Sequence, residues 1–166
     1  MSRHHLMLAT TTALASTLAA PAMASDANCD AVAEALANAR TEVQSALMTE
    51  IDPASVEGKI LASDLGAICR VSGTTSPVEG SRIGFEVWMP AEGWNGRLQM
   101  FGNGGYSSSI PFYRVSQAAA EGDAVAGTDT GHQGSDPDFA RDRPAAIDDW
   151  AHRAVHETIN QGKAAV

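Results

Sequence analysis

The sequence predicts an α/β fold, in which helices pack against a mixed sheet. From Cys69 onward, apolar strand patterns alternate with helical patterns. A short apolar strand at 97–101 runs into the glycine-rich turn 102–105, and the next buried strand breaks at the second glycine-rich segment, 128–134. The chain has 166 residues, which is enough for one domain or part of one.

The first residues are typical of a targeting segment. Arg3 with His4 and His5 precedes the apolar, Thr/Ala-rich run 6–20, and Ala22-Met23-Ala24 fits a small-x-small cleavage site. We therefore predict a signal peptide over 1–24 and a mature, secreted or periplasmic domain over 25–166. The alternative is an uncleaved anchor, but the run is short for a membrane span.

The formal net charge of −9 argues against nucleic acid or an anionic membrane as a partner, and we expect neither after cleavage. The two cysteines are Cys29 and Cys69. In an oxidising compartment an even count favours a disulfide. The alternatives are two buried thiols or a metal site, and two cysteines without a nearby histidine make a poor metal site.

The first elements follow from periodicity. Residues 30–48 suit either one helix or a short helix at 30–39 followed by a strand, and we predict the second arrangement. A strand over 69–74 comes next. Residues 83–88 alternate as in a strand with one buried face, and Pro90 ends it.

The later elements complete the alternation. The turn at Asn95-Gly96 predicts that the strand 97–101 returns antiparallel to the preceding strand. A helix over 113–121, a buried strand over 124–126 and a helix over 148–166 follow. The last helix should present one apolar face, made of Trp150, Ala154, Val155 and Ile159.

The turn 102–105 has two interpretations. Glycine clusters are common where a turn needs positive φ angles. A glycine turn directly after a sheet strand can also aim a backbone N–H at a developing oxyanion. A phosphate-binding loop is disfavoured, because neither GxGxxG nor GxxxxGK[ST] is present.

Three other groups could carry chemistry. Asp129 and His132 are either acid–base machinery or a pair that fixes their loop by hydrogen bonds. A triad of His132 with a serine of 107–109 is disfavoured, because these serines lie in a flexible-looking loop. Asp148, His152 and His156 share a helix face, but the outer two lie two turns apart and cannot hold one ion with the third. We predict no metal site.

Taken together, these segments resemble the N-terminal part of the tannase/feruloyl esterase family, which includes the bacterial plastic-monoester hydrolase. The resemblance covers the chain from Cys29 to the C-terminus. It rests on Cys69-Arg70-Val71, Ile83-Gly84-Phe85-Glu86-Val87-Trp88-Met89-Pro90, Trp94-Asn95-Gly96-Arg97, Gly102-Asn103-Gly104-Gly105, Thr128-Asp129-Thr130-Gly131-His132-Gln133-Gly134 and Arg153-Ala154-Val155-His156.

The resemblance implies a secreted serine esterase that cleaves small esters of aromatic acids such as gallate or ferulate. It implies the N-terminal part of an α/β-hydrolase sheet, incomplete because it lacks the nucleophile strand, the lid and the C-terminal half. The oxyanion role carries over to Gly104 or Gly105, and the pairing of Cys29 with Cys69 gains support. No catalytic nucleophile and no cofactor map to this chain, since the family's calcium lies in the missing lid.

Two functions of different classes remain. The first is the N-terminal fragment of an aromatic-ester hydrolase, inactive by itself. The second is a free-standing, catalytically silent binding module that keeps the oxyanion turn. The final helix should lead to a further parallel strand that the sequence does not contain, which favours the fragment.

Overall fold

The computed structural model describes residues 26–49 and 65–166. The predicted signal peptide and the segment around Asp52-Pro53 lie outside these ranges. The strands are β1 (Thr41–Thr49), β2 (Ile68–Thr75), β3 (Ile83–Pro90), β4 (Leu98–Phe101) and β5 (Ala124–Thr128). The helices are α1 (Asp26–Leu36), α2 (Phe112–Ala120), α3 (Pro144–Asp148) and α4 (Ala154–Ala165), with a π-helical turn at Asp149–Arg153 and a 3-10 turn at Pro137–Ala140.

In the described ranges no helix has the length and apolar character needed to cross a membrane.

The strands form a mixed sheet in the order β1-β2-β3-β5-β4. The pairs β1–β2, β2–β3 and β3–β5 are antiparallel, whereas β4 and β5 are parallel. Helix α2 connects the two parallel strands, as a parallel pair requires. The α/β class predicted from the sequence is confirmed.

Both faces of the sheet are covered. On one face Trp88 packs with Phe112 and Val115 of α2, and on the other Phe85 packs with Leu36 of α1. The prediction that strand 83–88 has one buried face is therefore wrong. Helices lie on both sides of β3, so its alternate residues enter two separate apolar layers.

The strand 97–101 runs antiparallel to β3 as predicted, but the predicted hairpin pairing of the two strands is wrong. Strand β4 does not pair with β3, because β5 lies between them. The Asn95-Gly96 turn serves another purpose: Asn95 N–H donates to Gly122 O, and Ala124 N–H donates to Arg97 O. These bonds dock the segment before β4 onto the start of β5 and set the parallel register.

The final helix buries Ala154 of the predicted face, but the rest of its buried residues differ from the prediction. Val155 is 46% exposed, while the buried residues of α4 are Ala154, Thr158, Gln161 and Gly162. Gly162 explains the difference, because a Cβ there would lie 3.2–3.3 Å from Leu98 and Ala126. The helix thus rests on the sheet through its small residues, which permit a close approach.

The predicted helix and strand at the N-terminus of the domain are present as α1 and β1, although α1 begins and ends earlier than expected. The predicted Cys29–Cys69 disulfide is confirmed, and it ties α1 to β2 across 40 positions. Closure of a loop of this length contributes about 3–4 kcal/mol in the chain-entropy account.

Buried Asp123, just before β5, holds β4 in place. Its carboxylate accepts hydrogen bonds from Asn95, Arg97 and Gln99, the last of these within β4. Burial alone would raise the pKa of Asp123, but the bonds from Asn95, Gln99 and Arg97, together with the Arg97 charge, hold it below its ordinary value.

Because the folded-state pKa of Asp123 is lowered, its stabilising contribution should be present above about pH 4 and lost as the pH falls through the folded-state pKa. We predict that Asp123→Asn lowers the free energy of unfolding by about 2 kcal/mol at pH 7, since it weakens charge-assisted hydrogen bonds. The difference from the unmodified chain should shrink below pH 4. Urea unfolding at several pH values measures it.

The matched control is Asp138→Asn, because Asp138 also pairs with an arginine, Arg141, but both side chains are exposed. This substitution should change the free energy of unfolding by less than about 1 kcal/mol both at pH 7 and below pH 4. An Asp123→Asn effect that is independent of pH would contradict the electrostatic account.

Candidate functional site

The two glycine-rich segments lie side by side at one edge of the sheet. Because β4 and β5 are parallel and in register from Leu98–Ala124 to Phe101–Gly127, the segments that follow them leave the sheet at the same edge. In open α/β sheets the carboxyl ends of parallel strands are where binding sites form. The turn 102–105 and the loop 129–134 both occupy this edge.

The backbone of the first turn is held through its carbonyl groups. Gly104 O accepts a hydrogen bond from Ser107 N–H at 3.2 Å, which closes a tight turn. Gly105 O accepts one from the indole Nε1–H of Trp150 at 2.9 Å. Gly105 has φ 57°, the left-handed conformation that glycine adopts without steric cost.

The next two carbonyl groups are held in the same manner. Tyr106 O lies 2.9 Å from Nε2 of His132, and Ser107 O accepts from Nδ2 of Asn103 at 2.8 Å. Four consecutive carbonyl groups, from Gly104 to Ser107, thus each have a donor. The donors come from the turn itself, from the loop after β5 and from the π-helical turn.

These bonds decide where the N–H groups point. In a trans peptide the N–H is directed opposite to the carbonyl. The bonds to Gly104 O and Gly105 O therefore turn the N–H groups of Gly105 and Tyr106 away from Ser107 and Trp150. Within the described residues neither N–H has a protein acceptor. The turn is exposed, so both donors are available to a bound anion or oxyanion.

His132 fixes this arrangement. A carbonyl oxygen can only accept, so Nε2 must carry the proton that it donates to Tyr106 O. The other ring nitrogen, Nδ1, faces the Thr130 hydroxyl at 3.3 Å, and the ring stacks on Phe139 with centroids 3.9 Å apart. Its Nε2 is thus occupied in holding the turn.

Asp129 has a comparable role in the second loop. Its carboxylate accepts from Gly84 N–H and Gly131 N–H, both at 2.8 Å, and from the Gln133 side chain at 3.0 Å. Burial raises the pKa of Asp129, although the two backbone hydrogen bonds oppose the rise. No hydrogen bond joins Asp129 to His132, and the contacts of both residues are those of groups that fix a loop.

The serines of the first loop do not assemble a triad with His132 in the described residues. Ser107 Oγ accepts from Ser109 N–H, and Ser108 Oγ accepts from Gly134 N–H at 2.8 Å. The Ser108 bond ties the two glycine-rich segments together, as does Ser108 N–H donating to Gly134 O. These hydroxyl groups order the edge of the sheet.

The polar residues of the last helix stand apart from the site. His152 and His156 are exposed, and Asp148 pairs with Arg153 at 3.0 Å. Across 26–49 and 65–166 no group of three potential metal-ligating side chains comes together.

The sequence analysis did not identify Asp149, which supports the loop 129–134. Fully buried Asp149 accepts from Ser81 Oγ and from Arg153, both at 2.6 Å, and it packs against Gly131. A Cβ on Gly131 would lie 2.6 Å from that of Asp149, so only glycine fits there. Ser81 and Gly131 are far from Asp149 in the chain, so no local sequence pattern indicates these two contacts.

Comparisons with known proteins point to one family. The sequence profile described as "Tannase and feruloyl esterase" matches residues 69–166. An uncharacterised esterase from Xanthomonas campestris pv. campestris is 36% identical over 161 residues, which cover 96% of this chain and 27% of that protein. A probable feruloyl esterase B from Aspergillus clavatus is 34% identical over 58% of this chain and 18% of its own length.

Solved structures share the fold. Feruloyl esterase B from Aspergillus oryzae superposes with a TM-score of 0.71 at 25% identity, covering 84% of this chain and 29% of its own. Another esterase from Aspergillus oryzae gives 0.72 at 22% identity, over 84% and 29% of the two chains. The chain thus spans less than a third of each of these relatives. It belongs to the tannase and feruloyl esterase family.

Proposed function

We propose that this chain is the N-terminal part of a secreted carboxylic ester hydrolase and that it supplies the oxyanion-stabilising half of the active site. One observation carries the proposal: a glycine turn at the carboxyl edge of the sheet directs free N–H groups outward, with its carbonyls held by the protein. Membership of an esterase family supports this use of the turn.

The chemistry of acyl transfer explains why such a turn matters. Attack on an ester carbonyl converts its oxygen into an oxyanion, and fixed N–H donors stabilise that charge more in the transition state than in the substrate. One such donor contributes about 3–4 kcal/mol to the barrier reduction, or roughly 10²–10³ in kcat. The turn needs no titratable group for this, and so it acts at any pH at which the protein is folded.

The strand order of the sheet supports a position for the nucleophile next to the turn 102–105. Strand β4 is an edge strand within the described residues, and α4 packs against β5, β3 and β4. A right-handed crossover from β5 through α4 would place a further parallel strand beside β4. A nucleophile at the carboxyl end of that strand would lie next to the turn 102–105. We propose a serine there, activated by a histidine from later sequence.

The substrate class follows from the relatives and from the surroundings of the turn. Two relatives carry the name feruloyl esterase B. The rings of Tyr106, Phe139 and Trp150 contact one another beside the turn, with centroids 5.4–6.4 Å apart. Aromatic side chains favour aromatic partners. We therefore propose small esters of aromatic acids, of the gallate or ferulate type, as substrates.

Export is part of the proposal. A disulfide such as Cys29–Cys69 forms and persists in oxidising compartments, which supports the predicted signal peptide. We expect a protein that begins at Ser25 after expression with its own leader in a bacterial periplasm. Intact mass with and without reductant, each followed by alkylation, tests both statements at once. Retention of residues 1–24, or two alkylated thiols without reductant, would contradict export.

We predict that the 166-residue chain has no esterase turnover, while the complete reading frame that encodes it is active. Acyl transfer needs a nucleophile with an activating base, and the described residues assemble neither. The assay uses methyl gallate, methyl ferulate and nitrophenyl acetate, with a heat-treated sample as control. Turnover that follows the 166-residue chain through purification would contradict the proposal that the nucleophile and its base lie in later sequence.

The coding DNA distinguishes the esterase from the second candidate function, the silent binding module. The family resemblance implies a Cys-Ser-x-Gly-Gly segment around the nucleophile, so a reading frame that continues into such a segment supports the esterase. A stop codon directly after Val166 would favour the binding module.

In the complete polypeptide, Gly105→Ala should lower kcat at least tenfold with little change in KM. An alanine at φ 57° is strained by about 1–2 kcal/mol and re-aims the N–H, although it meets no neighbouring atom. Gly102→Ala is the matched control, because that position also faces open space but has no left-handed φ. If Gly105→Ala leaves kcat within about threefold, roughly 0.7 kcal/mol, the turn has no catalytic role.

A further inference from the structure

We propose that Trp150 is a positioning residue for the oxyanion turn: its indole N–H holds the Gly105 carbonyl and thereby fixes the direction of the Tyr106 N–H, which belongs to the same peptide plane. This inference rests on the proposed function of the turn. It extends that function by adding the Tyr106 N–H as a donor and by naming the side chain that orders it.

The two peptide planes that flank the Gly105 Cα carry the N–H groups of Gly105 and Tyr106. The plane before its Cα is fixed by the bond from Ser107 N–H to Gly104 O, and the plane after it by the bond from Trp150 to Gly105 O. A glycine without such restraints would rotate readily about φ and ψ. The peptide that carries the Gly104 N–H has no comparable restraint, because no described donor contacts Asn103 O.

The position of Trp150 is itself determined by buried contacts. It follows Asp149 in the π-helical turn, and Asp149 is anchored by Ser81 from the start of β3 and by Arg153. A π-helical turn changes the direction of its side chains relative to a regular helix, and such turns are frequent at functional sites. Here the change directs the indole of Trp150 across to Gly105, 45 positions earlier in the chain.

The ring of Trp150 has a separate packing role, which the experiment must keep. It lies 5.4 Å from the Tyr106 ring and 6.4 Å from the Phe139 ring, between centroids. Trp150→Phe retains an aromatic ring in this cluster and removes the N–H donor. The variant therefore separates the hydrogen bond from the packing.

Trp94→Phe is the matched control. The indole of Trp94 also donates to a backbone carbonyl, that of Arg97, at 3.0 Å, but it lies outside the turn. Both variants lose one indole-to-carbonyl hydrogen bond, so a general effect on stability should appear equally in both.

The first measurement is the backbone ¹⁵N order parameter of Tyr106 in the 166-residue chain. We expect about 0.85 in the unmodified protein and in Trp94→Phe, and a fall below about 0.6 in Trp150→Phe, with the sheet residues unchanged. A Tyr106 order parameter that is equally high in Trp150→Phe would overturn the proposal. So would a value below about 0.6 in the unmodified chain.

The second measurement is kinetic, in the complete polypeptide. Trp150→Phe should lower kcat about tenfold with KM unchanged, as expected for the loss of one ordering hydrogen bond, while Trp94→Phe stays within about threefold. Equal kcat values for Trp150→Phe and the unmodified enzyme would overturn the positioning role. If the unmodified polypeptide hydrolyses no ester, the proposed function fails, and the order parameter alone decides whether Trp150 fixes the turn.

Discussion

The candidate site depends on one constraint, the capture of four consecutive carbonyl groups between Gly104 and Ser107 by donors from three parts of the fold. An exposed glycine-rich turn would otherwise sample many conformations and lose much entropy on ordering. Once the carbonyls of Gly104 and Gly105 are bound, the trans peptide directs the N–H groups of Gly105 and Tyr106 away from the donors that hold those carbonyls. The orientation of the donors is thus established when the chain folds, before any substrate binds.

The rest of the structure brings those donors to the turn. Parallel pairing of β4 with β5 places both glycine-rich segments at one edge, and buried Asp123 fixes the segment that leads into β4. Gly162 lets α4 approach the sheet closely, and α4 directly follows the π-helical turn that carries Trp150. Packing on both faces of β3 makes this framework rigid enough to hold a hydrogen bond across 45 positions.

Periodicity and turn chemistry predicted most of the element types and the glycine-rich turn 102–105, because these are local signals. The even count of cysteines predicted the disulfide. The pairing of β4 could not be predicted from Asn95-Gly96, since the same dipeptide serves a hairpin or a docking loop, and Asp123 decides between them. The buried face of α4 was misjudged because apolar side chains were counted, whereas Thr158, Gln161 and Gly162 are buried beside the predicted Ala154. Trp150 and Asp149 act through distant partners that leave no trace in the local sequence.

Asp129 and His132 support the candidate site by binding the backbone. Both residues have the chemistry of acid–base groups, yet Asp129 accepts hydrogen bonds from the N–H groups of Gly84 and Gly131, and His132 donates to the carbonyl of Tyr106. Removing either side chain would leave partly buried N–H or C=O groups without their protein partner, and the cost for a fully buried group is about 1–3 kcal/mol. Side chains that hold the backbone in this way contribute to the candidate site by fixing its shape. The oxyanion role that we propose for the turn relies on that fixed shape.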